Sequence, residues 1–190
     1  MRRVIILLVA AAVCARTVEA QQRLLTLDDI YREHFRSAWR LLRRLGVAEA
    51  QLDDAAQDVF LVVQRRLVEF DGAAPVRAWV FAIAVRVASE YRRRATRWRA
   101  EPLGEEQACA APGPARLTEL QESIRLLHDV LGELDDERRE VFVLSELEQL
   151  RAPEIASVLG VNLNTIYSRL RSARQRFEAA LARRRARSAP

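Results

Sequence analysis

From Leu27 to Leu45 the inward positions Ile30/Tyr31, His34/Phe35, Ala38, Leu41/Leu42 and Leu45 recur at steps of three and four, while Arg32, Arg36, Arg40, Arg43 and Arg44 fall on the other side. That period predicts an amphipathic helix closed by Gly46. A second helix is predicted from about Leu52 to Val68, with Ala55/Ala56, Val59, Val62/Val63 and Leu67 inward. Asp53, Asp54, Gln57 and Asp58 crowd its start, where carboxylates favour the helix dipole. Phe70 to Pro75 is a turn or short loop, and a third helix follows from Val76 to about Arg97. It turns Trp79/Val80, Ile83, Val87 and Tyr91 inward and carries Arg77, Arg86 and the run Arg92, Arg93, Arg94 outside.

Periodicity then stops. Residues 100–116 mix Pro, Gly, Ala and Glu without a repeat, which predicts a linker. It resumes from Leu117 to Leu131 through Leu120, Ile124 and Leu127, and Asp135 is placed to cap a helix reaching Leu147. Arg151 to Phe177 reads as two helices joined by a tight turn. Ile155, Val158 and Leu159 form one apolar face, Gly160-Val161-Asn162 supplies the turn, and Ile166, Leu170, Ala173 and Phe177 recur at helical spacing. That is helix-turn-helix syntax, although Arg151-Ala152-Pro153 opens it without an obvious capping side chain. The face opposite Ile166 carries Asn164, Ser168, Arg171, Ser172 and Gln175, flanked by Thr165 and Tyr167, groups able to reach base edges and phosphates. The pattern as a whole predicts an all-α chain: two small helical domains, residues 23–99 and 117–187, joined by a flexible linker, the second containing the helix-turn-helix.

Composition supports this and adds a partner. Half of the 190 residues are hydrophobic, enough for a packed core, and Gly and Pro total only twelve. All 31 basic residues are Arg, and the net charge of +5 conceals strong segregation. Val76 to Arg99 carries seven Arg against one acid, Glu101 to Leu150 thirteen acids against four Arg, and Arg151 to Pro190 nine Arg against two Glu. Two basic blocks separated by an acidic one imply two contacts with a polyanion. The tail from Ala182 to Pro190 is expected to fray and add phosphate attraction. Cys14, Cys109, His34 and His128 lie apart in sequence, so no zinc site or disulfide framework is indicated, and no metal or cofactor is expected. No Gly-rich phosphate loop, metal-ligand spacing or nucleophilic triad supports an enzyme.

Residues 1–22 pull the other way. Arg2-Arg3, an apolar run from Val4 to Val13 and the small residues around Ala20 look like a secretory signal, but the run is too short for a stable membrane anchor. An Arg-rich helical chain with a helix-turn-helix belongs with cytoplasmic nucleic acid, so the segment is read as a start codon placed too far upstream or an unprocessed helix.

Two ordered sets of residues resemble the bacterial RNA polymerase sigma factors, specifically the two-domain extracytoplasmic-function group. The first is Leu52 to Phe60, an acidic-Gln-acidic-apolar-Phe run, followed by Arg77-Ala78-Trp79, Ile83-Ala84 and Arg92 to Arg94. The second is Glu137 to Phe142, Glu154-Ile155-Ala156, Leu159-Gly160-Val161 and Thr165 to Leu170. The resemblance spans about Leu27 to Arg187. It implies that Asp53, Asp54, Gln57, Asp58 and Phe60 dock on core RNA polymerase. It implies that Trp79, Arg86, Glu90, Arg92, Arg93 and Arg94 open and read the −10 promoter element, where a basic groove with aromatics suits unstacked bases. Asn164, Thr165, Tyr167, Ser168, Arg171 and Ser172 are then expected to meet the −35 element in the major groove. The group is usually held inactive by an anti-sigma factor, and one is expected here. Three positions depart from the family pattern: Arg86 stands where Asn is common, Tyr167 where a basic residue is, and a Trp often found near Gln64 is missing.

The leading expectation is therefore a dissociable, non-enzymatic promoter-specificity subunit acting in the cytoplasm on polymerase and promoter DNA, without a small-molecule substrate. A self-sufficient helix-turn-helix regulator is the alternative, distinguished by tight duplex binding without polymerase. An exported helical protein is the third reading, distinguished by a mature N-terminus near Gln21.

Overall fold

The structure is a computed structural model that describes residues 26–100 and 119–188. The signal-like segment and the linker predicted at 100–116 lie outside these residues, apart from the linker's first position. All regular structure among the described residues is helical.

Helix α1, Leu27–Arg44, starts from a reciprocal cap. Thr26 Oγ1 accepts the Asp29 N–H at 3.2 Å, and the Asp29 carboxylate accepts the Thr26 hydroxyl at 2.6 Å and its N–H at 3.3 Å. These bonds to Thr26 hold the Asp29 carboxyl below the usual range, and they satisfy donors that a helix start otherwise leaves open. Gly46 ends the turn after α1 at φ 90°, a left-handed conformation that glycine adopts without a side-chain clash. Helix α2, Leu52–Arg66, and helix α3, Val76–Ala100, complete the N-terminal domain. Ala38, Leu41 and Leu42 from α1 meet Ala55, Ala56, Val59 and Val63 from α2 and Val80, Phe81, Ala84 and Ala88 from α3 in one core. Alanines at Ala55, Ala56, Ala84 and Ala88 leave room for the larger side chains facing them.

In the C-terminal domain α4 spans Glu119–Gly132 and α5 spans Asp136–Phe142. Asp135 caps α5 by accepting the Arg138 N–H at 3.1 Å, as its position predicts. The helix expected to run on to Leu147 instead changes into a π turn at Val143–Leu147. The turn inserts one extra residue, re-aiming the chain that follows, and Gln149 completes the reversal at φ 59°. Helix α6, Ala152–Leu159, does have a cap: Glu154 accepts the Arg151 N–H at 2.7 Å. The acceptor lies three residues inside the helix, since an arginine side chain has none to offer. Gly160, at φ 67°, turns the chain into α7, Leu163–Ser188.

Helix α7 runs on into the tail, as far as Ser188 among the described residues. Arg183 and Arg184 bond Glu133 at 2.7 and 2.8 Å, Arg184 also bonds Asp129 at 2.8 Å, and Ala180 is buried. Earlier in α7, Phe177 stacks on Phe142 of α5 with ring centres 4.4 Å apart.

The two domains dock, with α3 against α6, and their apolar residues form a continuous cluster. Glu148, following the π turn, is 3% exposed and receives Arg44 Nη1 at 2.6 Å and Arg77 Nη2 at 2.7 Å, both from the N-terminal domain. Arg92 reaches the other way. It donates to the Leu45 carbonyl at 2.8 Å and to Glu140 at 2.9 Å, and its Nε lies 3.2 Å from Asp136. Burial raises the Glu140 carboxyl even against Arg92.

His34 is buried and His128 half-buried, and desolvation is the largest cause lowering both imidazoles below 6.5. Their unfolded forms then take up protons that the folded forms refuse, so their contribution to stability is lost as pH falls from 6.5 through the lowered values. Thermal unfolding followed between pH 7.5 and 5.5 should show Tm falling, and a His34→Gln, His128→Gln double variant should flatten the slope. An unchanged slope would contradict this origin.

Candidate polymerase and promoter interfaces

Helix α2 presents Asp53, Asp54 and Gln57 to solvent along one side. Asp53 accepts the Trp39 indole N–H at 2.9 Å and half-buried Asp58 accepts the Tyr91 hydroxyl at 2.8 Å, so these two carboxylates also tie α2 to α1 and α3. Burial first, and the Asp58 hydrogen bond second, push the Tyr91 phenol up to about 12. Asp54 has no hydrogen bond or ion pair among the described residues. The resemblance puts Phe60 on this docking face, but it is only 6% exposed, beneath Tyr31 and Phe35 at ring distances of 4.9 and 5.9 Å. Its aromatic ring has a core to join, and the exposed apolar residue on this side is instead Leu61, at 41%. Sequence reasoning passed over Leu61, although it sits one turn after Gln57.

On α3, Arg86, Glu90, Arg93 and Arg94 are exposed, and Arg94 pairs with Glu90 at 2.8 Å while lying 5.6 Å over the Tyr91 ring. Trp79 is half-buried against Phe70 at 4.9 Å. With Ile83 and Arg86 it lines a cavity of about 180 Å³ closed on its far side by Ser157 and Val158 of α6. Arg92 departs from the expectation for it: its side chain is 10% exposed, held between the domains rather than on the basic face. The helix turns by about 100° per residue, so neighbours in a run of three arginines face different ways.

On α7, Asn162 caps the helix by accepting the Thr165 N–H at 2.8 Å and its hydroxyl at 2.9 Å. The Thr165 hydroxyl proton is thus used within the cap, and its oxygen keeps its acceptor capacity. Ser168 donates to the Thr165 carbonyl at 3.0 Å, and Ser172 accepts from Arg138 Nε at 2.8 Å. Asn164, Tyr167 and Arg171 are exposed and have no hydrogen bond or ion pair among the described residues. Leu163, unremarked in the sequence, shares their exposed face.

No group of His, Cys, Asp and Glu able to hold a metal occurs among the described residues, and no helix there is long and apolar enough to cross a membrane.

A helical domain with an acidic stripe and a basic helix is docked here on a helix-turn-helix domain. Residues 30–98 match the family described as Sigma-70 region 2, and residues 124–177 the one described as Sigma-70, region 4. The chain belongs to the sigma-70 family of RNA polymerase sigma factors, in its extracytoplasmic-function group. It is 32% identical over 148 residues to the RNA polymerase sigma factor CnrH of Cupriavidus metallidurans, covering 73% of this chain and 78% of that one. Against the ECF RNA polymerase sigma factor SigL of Mycobacterium tuberculosis it is 32% identical over 144 residues, 74% and 80% of the two chains. CnrH in complex with the cytosolic domain of CnrY has a similar structure, with TM-score 0.64 at 28% identity over 88% of this chain and 96% of that one. The sigma factor RpoE, in complex with the anti-sigma factor NepR from Bartonella quintana, shares the fold at TM-score 0.63 and 21% identity, over 81% and 97%. The protein is accordingly a transcription initiation factor, not an enzyme, that directs RNA polymerase to promoters; its family binds core polymerase and promoter DNA.

Proposed function

We propose that Asp53, Asp54, Gln57 and Leu61, with Asp58 at the edge, dock on core RNA polymerase. In the same reading Trp79, Arg86, Glu90, Arg93 and Arg94 meet the −10 element, and Asn164, Tyr167 and Arg171 meet the −35 element. The observation that carries this is the set of exposed polar groups left without a partner: Asp54, Asn164 and Arg171 have none among the described residues, while Asp53, Asp58, Glu90 and Arg94 border the same faces and hold partners within the protein. Polar groups left open on a folded surface are the ones available to a partner.

The docked domains bring α6 against the Trp79 side of α3, so engaging the −10 element requires the two to part. An anti-sigma factor is the natural partner for the docked arrangement, in keeping with the solved structure of CnrH with the cytosolic domain of CnrY. The site of action is the cytoplasm, where polymerase and promoter meet. Run-off transcription tests the whole reading. Core polymerase with this protein should yield transcripts from a cognate promoter that disappear when either element is scrambled, and failure to bind core would overturn it.

A further inference from the structure

A lone exposed leucine on a helix is ordinary. Leu163 and Tyr167 are different, because they stand four residues apart, one turn from each other, at the start of the second helix of the helix-turn-helix. They are 38% and 55% exposed, although the same helix has a core to face and sends Ile166, Leu170 and Ala173 into it. Tyr167 thus stands outside the inward stripe, while Leu163, seven residues before Leu170, sits at the exposed end of that stripe beside it. Asn164 and Arg171 lie on the same exposed face, and the segment from Arg151 to Pro190 carries nine Arg against two Glu. The surroundings therefore favour a polyanion as the occupant of this face.

We infer that Leu163 and Tyr167 read thymine in the −35 element through its C5-methyl group. This refines the promoter-recognition reading above and rests on it. The thymine methyl is the apolar feature that an unmodified major groove offers, and it distinguishes T·A from the other pairs. The hydroxyls nearby already hold partners within the protein. Thr165 belongs to the Asn162 cap, Ser168 bonds back to the Thr165 carbonyl, and Ser172 accepts from Arg138. Asn164 and Arg171 remain for adenine and guanine or phosphate, the contacts their side chains make best. An apolar pair beside an amide and a guanidinium is a reader for a short element that contains thymine.

The test uses the full chain with core polymerase on a cognate promoter. Each −35 thymine is replaced singly by deoxyuridine, which removes the methyl and leaves base pairing intact. At one or two positions promoter affinity should fall about fourfold, the loss expected for one methyl returned to water. Leu163→Ala and Tyr167→Ala should bind the thymine template more weakly and lose the preference for thymine over uracil, while Tyr167→Phe keeps it. Core binding should be unchanged in all three. Uracil tolerated at every −35 position would overturn the inference, as would alanine variants that keep the full preference. So would a Tyr167→Ala defect in core binding, which would assign this face to a protein partner. If wild-type protein gives no transcript even on the unmodified promoter, the failure lies in the promoter-recognition reading itself.

Discussion

Glu148→Ala is expected to release the C-terminal domain from the N-terminal one while leaving each folded. Glu148 is buried at the domain boundary, and its two cations, Arg44 and Arg77, belong to the opposite domain. Deleting the carboxylate removes two charge-assisted hydrogen bonds and leaves two guanidinium groups facing each other without a counter-charge. Breaking a buried pair costs about 3–5 kcal/mol, but Arg77 is partly exposed and solvent will screen it, so about 2–3 kcal/mol is the reasonable expectation. That shifts a docked-to-undocked equilibrium roughly 30- to 160-fold. Small-angle scattering should report a larger radius of gyration, with helical circular dichroism unchanged. Open complexes at limiting protein should also rise, because the fraction of molecules able to present the Trp79 side of α3 rises with opening. A variant with wild-type dimensions would refute the role given to Glu148. Glu148→Gln, which keeps the shape and two polar atoms, should fall between.

This boundary is the part of the molecule least legible in the sequence. The helices were legible because Leu41, Val59, Phe81, Ile155 and Ile166 recur with neighbours at helical spacing, and a core needs only that local period. The turn at Gly160 and the cap at Asp135 were legible for the same reason, each being the work of residues within one helical turn. Glu148 looks like one more acid in an acidic block until residues 104 and 71 positions away are brought to it. Nothing local encodes those pairings, nor the π turn that aims them. Arg92 shows the same limit. In sequence it is the first of three arginines, and only tertiary placement separates it from Arg93 and Arg94. The family resemblance places Phe60 on the docking face, whereas Tyr31 and Phe35, on a different helix, cover it. The Thr26 and Glu154 caps are local too, each the product of a three-residue spacing.

Asp54→Arg and Arg171→Ala should separate the two tasks of the protein. Asp54 is the cleaner docking probe, since Asp53 and Asp58 hold Trp39 and Tyr91 and their replacement would disturb the fold as well. Reversing its charge removes an acid from the first turn of α2, a cost of about 0.3–1 kcal/mol to the helix. Against a cationic surface on the polymerase the reversal should cost several kcal/mol, so core affinity should fall about 100-fold or more while Tm moves by only a few degrees. Asp54→Asn, which deletes the charge without reversing it, should fall less. Arg171→Ala should leave core affinity at wild type and weaken promoter binding by holoenzyme about 5- to 150-fold, the range for loss of a base-reading arginine. The two sites lie on different domains, so the double variant should show the sum of the two free-energy losses. Core binding measured with purified subunits and promoter binding measured with preassembled holoenzyme distinguish the steps. Equal damage to both steps by either single variant would mean that polymerase docking and −35 recognition share one surface, and the assignment of separate tasks to α2 and α7 would fail.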